Sequence, residues 1–209
     1  MISIYSLKNL YSDYDKYIKI AKVMNTKDTQ IVVDKIKDNK HRYEEIENKT
    51  QIPWELIAAI HSKESNLNFA RNLCNGEPLN QVTKLVPRGL GPWSSFEDSA
   101  VDAIKHEIRL QKEIGKSNAE WSMIEALHYA QGWNGFGYIS KGIPSPYLWS
   151  GSNIYKIGGY KSDGNFDKNH VVKNVGVWCI LNTLGFGQEE PYVKLTWEEK
   201  ILYNYLSEV

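Results

Sequence analysis

A mainly α-helical fold is what this sequence predicts, and three observations predict it. Apolar residues recur at three- and four-residue spacing, most plainly through Trp54–Glu64 and Val171–Thr183. Helix-opening patterns recur at Pro53, Ser95, Ser117 and Thr196. Glycines stand where two of those helices should stop, at Gly115 and Gly185.

Taken in order, residues 13–49 are charge-rich, with scattered apolar positions at Ile31, Val32, Ile36, Tyr43 and Ile46. They read as one or two surface helices, and residues 1–40 as an N-terminal helical extension packed on the core of a domain spanning 41–209. Pro53 suits an early helix position, and Glu55 favours the positive end of the helix dipole. Ser95-Phe96-Glu97-Asp98 resembles a capping box opening a helix to about Ile114. Ser117-Asn118-Ala119-Glu120 opens another, to about Ala130. A third helix is expected over 169–184, with Val171, Val172, Val175, Trp178, Cys179 and Thr183 on helical spacing, and a last one starts at Thr196–Glu199. Two stretches, 70–94 and 131–168, hold too many Gly and Pro breakers for long helices. Long irregular segments in a compact helical protein are uncommon and often functional.

The 209 residues suit one domain with a small appendage, and 42% hydrophobic with 24% charged residues places the chain among soluble globular proteins. Its 25 basic and 25 acidic residues cancel, which argues against a general nucleic-acid or anionic-membrane binder. No run approaches the roughly 18 apolar residues of a transmembrane helix. Lys8, Asp13, Asp15 and Lys16 interrupt the N-terminus, so it does not read as a signal peptide and synthesis in a cytoplasm is expected. Cys74 and Cys179 are too few for a disulfide framework and are expected to be unpaired.

On a helix, Ile57, Ile60, His61 and Glu64 share one face, while Glu55, Ser62 and Lys63 fall largely elsewhere. Glu64 therefore points inward near the helix C-terminus. Apolar surroundings and the negative dipole end both disfavour its ionised form and raise its pKa. A carboxylic acid that stays protonated near neutral pH suits proton donation to a leaving glycosidic oxygen. The plainer alternative is a domain-edge carboxylate paired with a lysine. No second histidine follows His61 in metal-site spacing, so no metal or other cofactor is expected, and His61 reads as a core or cleft-wall residue.

The stretch ALHYAQGWNGFGYISKG joins a helix end to a loop crowded with aromatics. Sugars present flat apolar faces edged by hydroxyls, and Tyr and Trp offer an apolar body with a polar handle. Trp133, Asn134, Tyr138, Tyr147 and Trp149 have the chemistry of a saccharide cleft, although rings of this kind also pack loops onto helices. A nucleic-acid groove would interleave cations, yet only Lys141 stands between Gln131 and Tyr155.

Glu64-Ser65, followed by Leu67 and Phe69, resembles the E-S-x-hydrophobic signature of the goose-type lysozyme and soluble lytic transglycosylase superfamily. Gly89-Leu90-Gly91 stands near the place of its G-L-M-Q element. Tyr129 to Gly135 resembles its A-Y-N-A-G element, with Trp133 in the tyrosine place. The closer similarity is to phage-type peptidoglycan-degrading proteins of the lysozyme-like superfamily. Ile52-Pro53-Trp54, Glu64–Phe69, Asn75–Leu79, Ser95–Ala103, Asn134–Tyr138, Ser145–Ser150 and Val171–Gly176 carry it in order, over about residues 40–185.

The resemblance implies a lysozyme-like helical domain with long aromatic, glycine-rich cleft loops. It implies cleavage of the β-1,4 bond between N-acetylmuramic acid and N-acetylglucosamine, in an endolysin or a virion-associated lysin. Glu64 would be the general acid; Trp133, Asn134 and Tyr138 would line the cleft, with Tyr147 and Trp149 on a neighbouring wall and His61, Tyr129 and Gln131 as further substrate contacts. The partner would be bacterial peptidoglycan strands, met by a monomer after release from the cell or within a virion, with no nucleic acid and no stable membrane association. Two departures stand out. Gly91 and Pro92 replace the Met and Gln of G-L-M-Q, and Trp133 cannot accept a hydrogen bond as a phenol can.

An inverting hydrolase needs a second carboxylate roughly 6.5–9.5 Å from the acid. Glu77 is the best candidate by sequence reach, since capping already accounts for Glu97 and Asp98. A lytic transglycosylase needs none, because the muramic 6-hydroxyl attacks and leaves a 1,6-anhydro product. Both outcomes stay open. So do a non-catalytic glycan-binding module and a glycosidase for chitin or chitosan.

Overall fold

A computed structural model of the chain describes residues 4–107, 121–162 and 164–187. Among the described residues the protein is mainly helical, with eight α-helices and one two-stranded sheet. No helix among them is long and apolar enough to cross a membrane.

Helices α1 (Ile4–Ile20), α2 (Thr26–Asp38) and α3 (Lys40–Thr50) come first. The Asn25 side chain caps α2 by accepting the Asp28 N–H, and Asn39 both ends α2 and starts α3. Thr29, Val33 and Ile36 bury one face of α2, and Tyr43 and Ile46 bury one face of α3. With Leu10 and Tyr14 of α1 they belong to the same core as the rest of the chain.

Helix α4 (Trp54–Ser65) lies at the centre, packed against α3, α6 and α8. Leu56 through His61 are all buried, so its middle turns have no solvent face, as expected of a core helix. Each such Leu or Ile contributes about 1.5–3 kcal/mol of burial free energy. Pro53 is its N-cap residue rather than part of its first turn, and Asn66, left-handed at φ 53°, ends it.

Helix α5 (Phe96–His106) opens as expected, with Ser95 Oγ accepting the Asp98 N–H at 3.0 Å. The expected continuation to Ile114, the start at Ser117–Glu120 and the last helix from Thr196 lie outside the described residues. Helix α6 (Met123–Asn134) is opened by a full capping box between Ser122 and Glu125 and ends at Gly135, φ 83°. It thus runs one turn beyond the expected Ala130. A 3₁₀ turn (Ile139–Lys141), the short α7 (Pro146–Trp149) and a hairpin of β1 (Gly159–Ser162) and β2 (Asn165–Asp167) follow. The hairpin pairs Gly159 with Asp167 and Tyr160 with Phe166.

The helix expected over 169–184 is only half present. Helix α8 is Val177–Leu184, and the preceding residues form a non-helical strap. Its backbone groups are used sideways. The His170 carbonyl accepts the Gly158 N–H at 2.9 Å, the Val172 N–H donates to the Tyr155 hydroxyl at 3.1 Å, and the Gly176 N–H donates to the Ser150 carbonyl at 2.8 Å. Gly176 also sits so close to α7 that a Cβ there would lie 2.4 Å from the Leu148 carbonyl oxygen. Both cysteines are free.

Candidate active site

Glu64 occupies the last turn of α4, where the helix leaves the core and reaches a cavity of about 620 Å³. Tyr147, placed by α7, donates its hydroxyl proton to Glu64 Oε1 at 2.8 Å. Burial pushes the Glu64 pKa up to about 7, against the smaller downward pulls of the Tyr147 hydrogen bond and the Lys63 charge. Burial first and the Glu64 charge second push the Tyr147 hydroxyl well above its ordinary range, so it stays a donor. One carboxyl oxygen is thereby engaged, and Oε2 remains for a proton.

Lys63 lines the same cavity. Its ammonium donates to Asn174 Oδ1 at 2.9 Å and to the Val175 carbonyl at 3.1 Å, and lies 5.5 Å from the centre of the Tyr147 ring. Burial lowers its pKa to about 8, opposed by the Glu64 charge.

The hairpin and the segment after α6 also line the cavity. Tyr138 packs edge-on against Tyr160 at 5.1 Å, and its hydroxyl accepts the Tyr160 N–H at 3.2 Å. Tyr160 packs on Phe166 at 5.3 Å, and Lys141 stands 4.6 Å over the Phe166 ring. Close approach needs Gly137, where a Cβ would lie 3.2 Å from the Tyr160 hydroxyl. The cavity thus brings together four of the residues singled out in the sequence: Glu64, Asn134, Tyr138 and Tyr147.

The other candidates sit elsewhere. His61 is fully buried, stacked on Phe96 at 4.0 Å with Nδ1 2.9 Å from the Tyr43 hydroxyl. Burial lowers its pKa to about 4, so it is a neutral core residue, not a substrate contact. Tyr129 is likewise buried, against Trp121 and Trp133. Trp149 is buried between Tyr17 and Trp178, and buried Gln131 donates to the Gly135 carbonyl. These four are buried and none of them lines the Glu64 cavity. Trp133 is half-buried and lines a different cavity, about 200 Å³, with Cys74, Val86 and Pro87.

Glu77, the sequence's best second carboxylate, is a loop staple. Its Oε2 accepts the N–H groups of Lys84 and Leu85, each at 2.9 Å. Its carbonyl accepts both the backbone N–H and the side-chain amide of buried Asn72. It does not line the Glu64 cavity.

Sequence reasoning missed Lys63, Asn174 and Tyr160. Lys63 fell off the apolar stripe, and Asn174 was hidden inside an expected helix. Among the described residues no cluster of three or more His, Cys, Asp or Glu side chains is placed to hold a metal ion. Compared with protein-family models, curated proteins and solved structures, the chain matches none of them.

Proposed function

We propose that this protein is a peptidoglycan glycosidase of lysozyme-like fold, cleaving the β-1,4 bond between N-acetylmuramic acid and N-acetylglucosamine with Glu64 as general acid. The observation that carries the proposal is Glu64 itself: a carboxyl raised to about 7, bonded on one oxygen by Tyr147, at the wall of a 620 Å³ cavity. Such a group is a proton donor at neutral pH. The tyrosines and the Asn134 and Asn174 amides around it suit a saccharide.

In the first step the Glu64 proton passes to the glycosidic oxygen as the C1–O bond breaks, and positive charge develops at C1. The carboxylate so formed is stabilised by the Tyr147 hydroxyl and the nearby Lys63 ammonium. It then takes the proton of the attacking hydroxyl as the new C1–O bond forms, which restores the acid. Attack by water gives a reducing end, and attack by the muramic 6-hydroxyl gives a 1,6-anhydro end. Because the Glu77 carboxylate is occupied by two backbone donors, we favour the route that needs one carboxylate, lytic transglycosylation. The cellular role we propose is endolysin-like lysis of the bacterial wall, after release or from a virion.

Digestion of purified peptidoglycan by wild type and Glu64→Gln, with products analysed by mass spectrometry, tests this. Wild type should release anhydro-ended fragments, and Glu64→Gln should be slower by about a hundredfold or more. Reducing ends would redirect the mechanism to hydrolysis. Full activity of Glu64→Gln would remove Glu64 from its role, and binding of wild type to strands without release would leave a glycan-binding module.

A further inference from the structure

Among the described residues that line it, the Glu64 cavity has one positive charge with no anionic partner once Glu64 is protonated. Three charged residues line it among the described residues: Lys63, Glu64 and Lys161. Lys161 is paired with Asp167. Glu64 is neutral when it is ready to act as an acid. Lys63 remains, and its described hydrogen bonds go to two uncharged oxygens, Asn174 Oδ1 and the Val175 carbonyl. An ammonium has three protons to donate. A cation withdrawn from water onto two neutral oxygens and a ring face is poorly compensated, and at neutral pH it still carries its charge.

That arrangement gives a neutral polysaccharide little advantage, whereas a carboxylate would meet a directed, charge-assisted donor. We infer that Lys63 receives a carboxylate carried by the substrate, so that the cavity selects acidic β-1,4 amino-sugar strands over neutral ones. The inference rests on the glycosidase function proposed above and sharpens its substrate class, because chitin has no such group. In peptidoglycan the carboxylate is either the muramic lactyl group, where no peptide is attached, or a carboxylate of the stem peptide. A negative group placed there would also favour the protonated form of the neighbouring Glu64. Substrate would then help to keep its own acid loaded.

The test uses solubilised glycan strands in three forms: with stem peptides, with the peptides removed by an amidase, and with all carboxyls converted to neutral amides. Wild type, Lys63→Gln and Lys63→Arg are compared on each by product release. For wild type, kcat/KM should fall about tenfold or more on the amidated strands. Lys63→Gln should lose about tenfold more on acidic strands than on amidated ones, where it loses only its support of the Glu64 carboxylate, and Lys63→Arg should recover part of the loss. A preference kept on peptide-free strands identifies the lactyl carboxylate, and one seen only on peptide-bearing strands identifies the stem. Equal wild-type rates on acidic and amidated strands, or an equal loss by Lys63→Gln on both, overturn the inference. Failure of the glycosidase function is distinct, since then no strand yields product. Calorimetric binding of the same strands to wild type decides in that event: about a tenfold preference for the acidic form upholds the role of Lys63, and equal affinity overturns it.

Discussion

At the scale of single residues, the pair to watch is Glu64 with Tyr147. A general acid works in its protonated form, so kcat/KM should hold below pH 7 and fall as pH rises through about 7, where Glu64 ionises. The Tyr147 hydrogen bond favours the carboxylate and pulls that pKa down. Tyr147→Phe should therefore move the alkaline limb of the pH–rate profile upward while lowering the rate below it, because the carboxylate left after the first step loses its donor. An unmoved limb in that variant would show that Tyr147 does not tune the acid. Glu64 was legible in the sequence because helical periodicity puts a carboxyl on an apolar face. Its phenol partner was not, because Tyr147 is 83 residues away and only packing brings it near. Lys63 was missed for a related reason. It is rotated off the stripe, and the side it faces is covered by a strap that the sequence pattern assigned to a helix.

Among the elements, the loop after α4 and the strap before α8 carry the clearest expectations. Glu77 holds two backbone N–H groups, so Glu77→Gln should lower stability by about 1 kcal/mol in urea unfolding and leave most of the activity. A loss of about a thousandfold in kcat would instead return Glu77 to the chemistry. Gly176 has no room for a side chain against the α7 backbone. Gly176→Ala should cost about 2–4 kcal/mol and reduce activity as well, because α7 also carries Tyr147. The capped helices were readable: Ser95 and Gly185 act where their chemistry placed them. The 169–176 stretch was not, because valines at helical spacing describe a buried segment equally well when its backbone bonds run to neighbouring loops. The aromatic loop was readable in kind but not in detail, since composition does not say which rings face inward. Trp149 and Tyr129 went to the core, and Tyr160 went to the cavity.

For the molecule as a whole, α4 carries two groups whose titrations oppose each other. His61, lowered to about 4, contributes stability that is complete above its unfolded value near 6.5 and is lost as pH falls toward 4. Glu64, raised to about 7, contributes stability that is complete below 4.5 and is lost as pH rises through 7. Each is worth up to about 3 kcal/mol, and between roughly pH 4.5 and 6.5 their slopes run against one another. Unfolding measured across that range should expose each slope only when the other group is removed. Glu64→Gln should be more stable than wild type at pH 7 and no different below pH 4, and His61→Phe should lose the acid-side decline. A Glu64→Gln protein no more stable at pH 7 would mean that the carboxyl carries no folding penalty. The strap over 170–176 bonds to Gly158 just before the hairpin, to Ser150 at the end of α7 and to Lys63 of α4. Acid, phenol and cavity wall therefore hang from one short strut. In the proposed glycosidase, a glycan that pushes on the hairpin bears on the same seven residues that hold the proton donor in register, and strain in the polymer and alignment of the chemistry become one mechanical quantity.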